Sequence, residues 1–97
     1  MPMEIQNKKV GKKGIFYIEK DKKIVAEMIY TMSSSNKMTI EHTEVSESLK
    51  GQNIGLRLVK HAAEYARKNN LKIIPLCPFT LAMFKKRPEE YADVWLK

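Results

Sequence analysis

Hydrophobic positions alternate or cluster in short runs through the first half of the chain, then change to a helical period. Ile5 to Val10 reads as a first short strand, and Gly11 to Gly14 as the turn after it. The β-branched and aromatic run Ile15-Phe16-Tyr17-Ile18, the polar reversal Lys20-Asp21-Lys22-Lys23 and the run Ile24 to Thr31 predict a hairpin over 14–31. Ser33-Ser34-Ser35-Asn36 is a second polar turn. Met38 to Val45 follows as a fourth strand. Strict alternation puts Met38, Ile40, His42 and Glu44 on one face, with Thr39, Glu41, Thr43 and Val45 on the other. The opening half is therefore expected to be an antiparallel meander.

From Leu56 the polar residues Arg57, Lys60, His61, Glu64, Arg67 and Lys68 fall on one helical stripe, which faces solvent in this reading. Leu56, Leu58, Val59, Ala62, Ala63, Tyr65 and Ala66 cover the opposite side, and the alanines suit a helix lying close against a sheet. Asn69-Asn70 ends it, because asparagine tolerates the left-handed conformation. Leu71 to Cys77 reads as a fifth strand, interrupted by Pro75, which implies an edge or a bulge there. Thr80 to Lys86 and Glu89 to Leu96 predict two short helices, with Pro88 suited to the first turn of the second. With no internal repeat and no low-complexity tract, residues 1–97 read as a single domain of the α+β (mixed α/β) class.

Composition narrows the class. With 43% hydrophobic and 30% charged residues the chain is too apolar for intrinsic disorder. No run of about 18 apolar residues offers a membrane span, and the start of the chain is polar, without the apolar stretch of a signal peptide. The lone cysteine excludes an internal disulfide and fits a reducing compartment, so the cytoplasm is the expected location. The six methionines, Met1 and Met3 among them, suit ordinary gap-filling. A net charge of +7 would favour a nucleic acid, an anionic surface or a phosphate-rich ligand. The lysines, however, come as scattered pairs (Lys8/Lys9, Lys12/Lys13, Lys22/Lys23, Lys85/Lys86), which also suits solvated turns.

The segment Leu49-Lys50-Gly51-Gln52-Asn53-Ile54-Gly55-Leu56 stands between the fourth strand and the long helix. Helix N-termini expose unpaired N–H groups and partial positive charge, so they suit phosphates. Gly51 and Gly55 would let a ligand approach the backbone, Asn53 accepts a positive φ, and Lys50 adds a charge. The ATP and GTP phosphate loop is excluded because its Gly-Lys-Ser/Thr ending is missing, and the three-glycine dinucleotide fingerprint is absent too. On these residues alone, a plain loop with a glycine-permitted turn is the stronger reading.

The run Lys50 to Leu56 resembles the acetyl-CoA pyrophosphate loop of the GNAT acetyltransferases, Arg/Gln-x-x-Gly-x-Gly/Ala. It departs in having Lys at 50 and Asn at 53. His42-Thr43-Glu44-Val45 before it and Cys77-Pro78-Phe79 after it are similar to the minimal, single-domain (YjdJ-type) members. The resemblance implies a GNAT-like fold in which the fourth and fifth strands splay apart. Acetyl-CoA or CoA would be held by the backbone of Glu44 and Val45 at its pantetheine arm. Its pyrophosphate would lie on the amides of Gln52, Asn53, Ile54, Gly55 and Leu56, beside Lys50 and Gly51. The implied reaction is acetyl transfer to an amine that the sequence does not name. At 97 residues there is no room for the N-terminal helices that wall the acceptor site in larger members, which implies an open acceptor side and admits macromolecular acceptors.

Two residues are candidates for the chemistry. Cys77, at the end of the fifth strand, could accept the acetyl group as a nucleophile, or could be a small buried residue. His42, near the same end, could act as a general base. No metal site is expected, since two histidines and one cysteine far apart do not make ligand spacing. Two other functions stay open: a CoA-binding domain without efficient catalysis, and a small basic nucleic-acid-binding domain. The strands show no aromatic stacking platform and the helix stripe is mixed in sign, both against the second.

Overall fold

The computed structural model describes residues 4–96, so Met1 and Met3 lie outside the described residues. Five strands form one sheet in chain order: β1 (Gln6–Val10), β2 (Lys13–Lys20), β3 (Lys23–Ser34), β4 (Lys37–Val45) and β5 (Lys72–Pro75). Neighbours are antiparallel up to β4, and β5 runs parallel to β4. A parallel pair needs a crossover, which the long helix α1 (Ile54–Lys68) supplies. Two short helices follow, α2 (Pro78–Lys86) and α3 (Pro88–Tyr91).

The first turn is tighter than the sequence suggested. Only Gly11 and Lys12 separate β1 from β2, with Gly11 at φ 62°. Gly14 belongs to β2, and the Tyr30 ring occupies the space where its β-carbon would be. The β2–β3 reversal uses Asp21 and Lys22, both with positive φ (53° and 65°), as a two-residue hairpin turn of right-handed twist requires.

In β4 the expected alternation breaks. Ile29 pairs with His42 but Tyr30 pairs with Ile40, so Glu41 is an extra residue, a β-bulge. Met38 and Ile40 are buried before the bulge, whereas beyond it Thr43 and Val45 turn to the core side. His42 and Glu44 are exposed on the opposite face, across from Ile29 and Glu27. The predicted shared face of Ile40, His42 and Glu44 is thus corrected by one inserted residue.

Helix α1 begins at Ile54, two residues before the periodicity suggested, and buries Ile54, Leu58, Val59, Ala62, Ala63 and Ala66 against the sheet. Its end is a Schellman motif: Asn70 takes φ 55°, Leu71 N–H donates to Ala66 C=O (2.8 Å) and Asn70 N–H to Arg67 C=O (3.4 Å). His61 is half-buried, its ring 5.1 Å from that of Phe16, and does not stand free in solvent. Arg67 fastens α1 to the C-terminal segment through Asp93 (2.6 Å) and the Glu90 carbonyl (2.6 Å).

The fifth strand is shorter than expected. It ends at Pro75, where the missing N–H costs nothing. Its far side is paired with the C-terminal segment: Ile73 N–H donates to Val94 C=O (2.6 Å) and Leu96 N–H to Ile73 C=O (2.9 Å). Those bonds hold Val94 to Leu96 extended, which is why the expected helix Glu89–Leu96 stops at Tyr91. No described helix is long and apolar enough to cross a membrane.

Candidate functional site

The site is a wedge between β4 and β5. The two strands pair only as far as Ile40 and Pro75. There the Ile40 carbonyl accepts from both Leu76 N–H (3.0 Å) and Cys77 N–H (2.9 Å), and the chain turns away into α2. Strand β4 runs on to Val45, leaving β5 behind. Ser46 N–H donates to Val25 C=O (2.8 Å), so by antiparallel alternation Glu44 and His42 bond to β3 while the backbone groups of Thr43 and Val45 face away from it. The open edge is therefore presented by Thr43 and Val45; Glu44, expected beside Val45, turns its backbone to β3.

Cys77 closes the narrow end. It is buried, 3% exposed, and is the N-cap of α2 with extended backbone (φ −66°, ψ 123°). Its thiol donates to Thr43 Oγ1 across the wedge at 3.4 Å. Burial alone would push the thiol up. The Thr43 hydroxyl, the amides of Thr80 and Phe79 and the Thr80 side chain outweigh it and leave the thiol below its ordinary range.

At the wide end lies the loop. Ser46 caps a single 3-10 turn, Glu47–Leu49, whose Leu49 is buried and anchors the segment. Lys50 reaches back to Glu47 (Nζ–Oε1 3.0 Å), so its charge is shared with a carboxylate. Gln52 N–H donates to Leu49 C=O (3.3 Å) and closes the turn. Gly51 takes φ 84° and Asn53 the left-handed conformation (φ 55°, ψ 33°), without a side-chain cap. The first helical bond runs from Arg57 N–H to Asn53 C=O (3.0 Å), so the amides of Ile54, Gly55 and Leu56 come before the ladder. These three residues line a groove of about 360 Å³ bounded also by Lys50, Phe79, Met83 and Lys86. Gly55 meets the Phe79 ring, 2.6 Å from where its β-carbon would stand; close approach, not backbone angle, requires glycine there.

The fold thus brings Val45, Lys50, Gly51, Asn53, Ile54, Gly55 and Leu56 to one groove; Gln52 and Cys77 do not line it, and Cys77 is bonded instead to Thr43, two residues before Val45. His42 lies on the outer face of β4, its Nε2 4.0 Å from Glu44 Oε1. Sequence reasoning missed Thr43 and Thr80, the hydroxyls beside the thiol, and Lys86 at the groove. Only Thr80 had a readable signal: it follows Cys77 by three, the spacing of a helix cap and its N3 partner. No group of three described His, Cys, Asp or Glu residues is arranged to hold a metal.

Comparison with known proteins agrees with this geometry. The GCN5-related N-acetyl-transferase family profile matches residues 15–94. The solution structure of a GCN5-like protein of the N-acetyltransferase type from Staphylococcus aureus is 40% identical, over 95% of this chain and 88% of that one, with a TM-score of 0.71. Two more distant structures share the fold. A ribosomal-protein-alanine N-acetyltransferase from Brucella melitensis biovar Abortus 2308 is 14% identical over 77% of this chain and 60% of that one (TM-score 0.63). A GNAT family acetyltransferase from Elizabethkingia anophelis with acetyl-CoA bound is 17% identical over 66% and 42% (TM-score 0.56). No curated protein matches significantly. With a family profile covering most of its length and a relative 40% identical along nearly all of it, the chain belongs to the GCN5-related N-acetyltransferase family.

Proposed function

We propose that this protein is an acetyl-CoA-dependent N-acetyltransferase in which Cys77 takes up the acetyl group before an amine does. The observation that carries this reading is the Cys77 thiol, lowered in pKa and bonded to Thr43 at the closed end of the wedge. Family membership supports acetyl transfer, and the Elizabethkingia relative holds acetyl-CoA.

The residues present fit that ligand. The amides of Ile54, Gly55 and Leu56 and the N-terminal dipole of α1 suit a pyrophosphate, with Lys50 and Lys86 at the rim. Gln52 closes the preceding turn, so it contributes by shaping the loop. The open backbone of Thr43 and Val45 can hydrogen-bond a pantetheine amide chain, and the thioester then reaches Cys77. The Cys77 thiolate attacks the acetyl carbonyl, the carbon–sulfur bond to CoA breaks, and the CoA thiolate leaves with a proton from solvent. A neutral amine attacks the acetyl-cysteine in turn and restores the thiolate. Neutral His42, exposed on the outer face with its Nε2 4.0 Å from Glu44 Oε1, would take the proton from an amine arriving on that side. A thiol in this role needs a reducing compartment, which supports a cytoplasmic setting.

The test is mass spectrometry after incubation with acetyl-CoA. One acetyl group, mapped to Cys77 and absent from Cys77→Ser, is the expected result. CoA binding with no acetyl on Cys77 under turnover with an amine would remove the nucleophile and leave direct transfer or a CoA-binding domain.

A further inference from the structure

We propose that Thr80 is a positioning residue for Cys77, its hydroxyl donating to the sulfur when the thiol ionises and so setting how much thiolate the site holds. The inference rests on the acetyl-accepting role argued for Cys77, and it deepens that site.

Three observations carry it. Thr80 is fully buried, and its Oγ1 has no hydrogen-bond partner, a state folded proteins avoid. Its place is N3 of α2, three residues after the N-cap Cys77. An N3 side chain ordinarily reaches back to the N-cap backbone N–H, but that N–H is already given to the Ile40 carbonyl (2.9 Å). The hydroxyl is thus kept at the thiol's end of the helix without a backbone task.

Its partner depends on protonation. As a thiol, Cys77 spends its proton on Thr43 Oγ1 (3.4 Å), and the Thr80 hydroxyl is left over. As a thiolate, the sulfur becomes an acceptor only. The Thr43 hydroxyl then reverses to donate, and the Thr80 hydroxyl turns to make the second bond. From β4 the facing group is Thr43; from α2 they are the amides of Phe79 and Thr80 and the Thr80 side chain. Charged His42 and Glu44 lie on the opposite face of β4. Two hydroxyls and a helix N-terminus therefore replace the histidine or lysine that usually holds a thiolate.

The experiment reads Cys77 directly. It is the chain's one cysteine, so a 13C-cysteine label gives a single Cβ resonance whose shift follows ionisation. Thr80→Val keeps the shape and removes the hydroxyl; Thr80→Ser keeps the hydroxyl. Thr80→Val is expected to raise the titration midpoint by roughly 0.5–1 pH unit, with Thr80→Ser close to the native value. Acetylation of Cys77 should slow about 3–10-fold in Thr80→Val below the native midpoint and recover at high pH. If valine strains the core, Thr80→Ala reads the same loss. A folded Thr80→Val or Thr80→Ala with the native midpoint overturns the proposal, as does Thr80→Ser moving as far as Thr80→Val. If Cys77 is never acetylated but its midpoint moves as described, the acetyl-accepting role fails and the Thr80 assignment stands.

Discussion

The ring of Phe79 lies across Gly55 so closely that a β-carbon at position 55 would stand 2.6 Å from its Cζ. The contact joins the start of α2 to the first turn of α1, and it sets the width of the groove between them. Gly55→Ala must push the ring outward, at a cost of about 1–3 kcal/mol. Urea unfolding should show that loss, and Phe79→Leu in the Gly55→Ala background should restore part of it. Simple additivity of the two changes would mean that ring and glycine do not act on one another.

Asn53 occupies the left-handed conformation at φ 55°, with no side-chain cap bond to lose. Glycine suits that angle and removes a side chain from the groove, so Asn53→Gly should bind CoA several-fold more tightly by calorimetry. Asn53→Ala keeps a side chain in a conformation alanine resists and should cost about 1 kcal/mol of stability. A weaker CoA complex in Asn53→Gly would show that the side chain, not the bare backbone, meets the ligand.

Cys77 and His42 lie on opposite faces of β4, which would separate the roles proposed for them. His42→Gln should leave acetylation of Cys77 within about twofold of native while slowing onward transfer to an amine roughly tenfold or more. Single-turnover mass spectrometry and amine-product assays read the two steps independently. Equal loss in both would mean that the imidazole acts on the thiol after all.

Burial against Phe16 holds the His61 imidazole below its ordinary pKa. The unfolded chain takes up that proton first, near its usual value of about 6.5. Stability contributed by neutral His61 is thus full above that pH and is lost as pH falls through it toward the depressed folded value. The melting temperature should decline between about pH 7 and 5, and His61→Leu should flatten the slope. An unchanged slope would assign the acid sensitivity to carboxylates, among them Asp93, which Arg67 holds below the usual range.

Much of the fold can be read from periodicity, because the meander and α1 each bury one regular face. The helix stripe, the Asn69-Asn70 ending and the loop before Ile54 are all local features, and the local residues specify them. The bulge at Glu41 is not local: it depends on how β3 pairs with β4, and one extra residue moves Thr43 inward and His42 outward. Gly14 illustrates a second blind spot, since it reads as a turn residue yet serves the Tyr30 ring from a strand sixteen positions away. The C-terminal Val94–Leu96 is a third. Its apolar run suits helix or strand, and only the bonds from Ile73 decide.

In the proposed function the wedge and the start of α1 form one acetyl-CoA site. Titrating 15N-labelled protein with acetyl-CoA tests it residue by residue. The amides of Ile54, Gly55, Leu56, Thr43 and Val45 are expected to shift together and saturate at one concentration. Shifts confined to the lysine-bearing β1–β2 hairpin, or none at the N-terminus of α1, would contradict it.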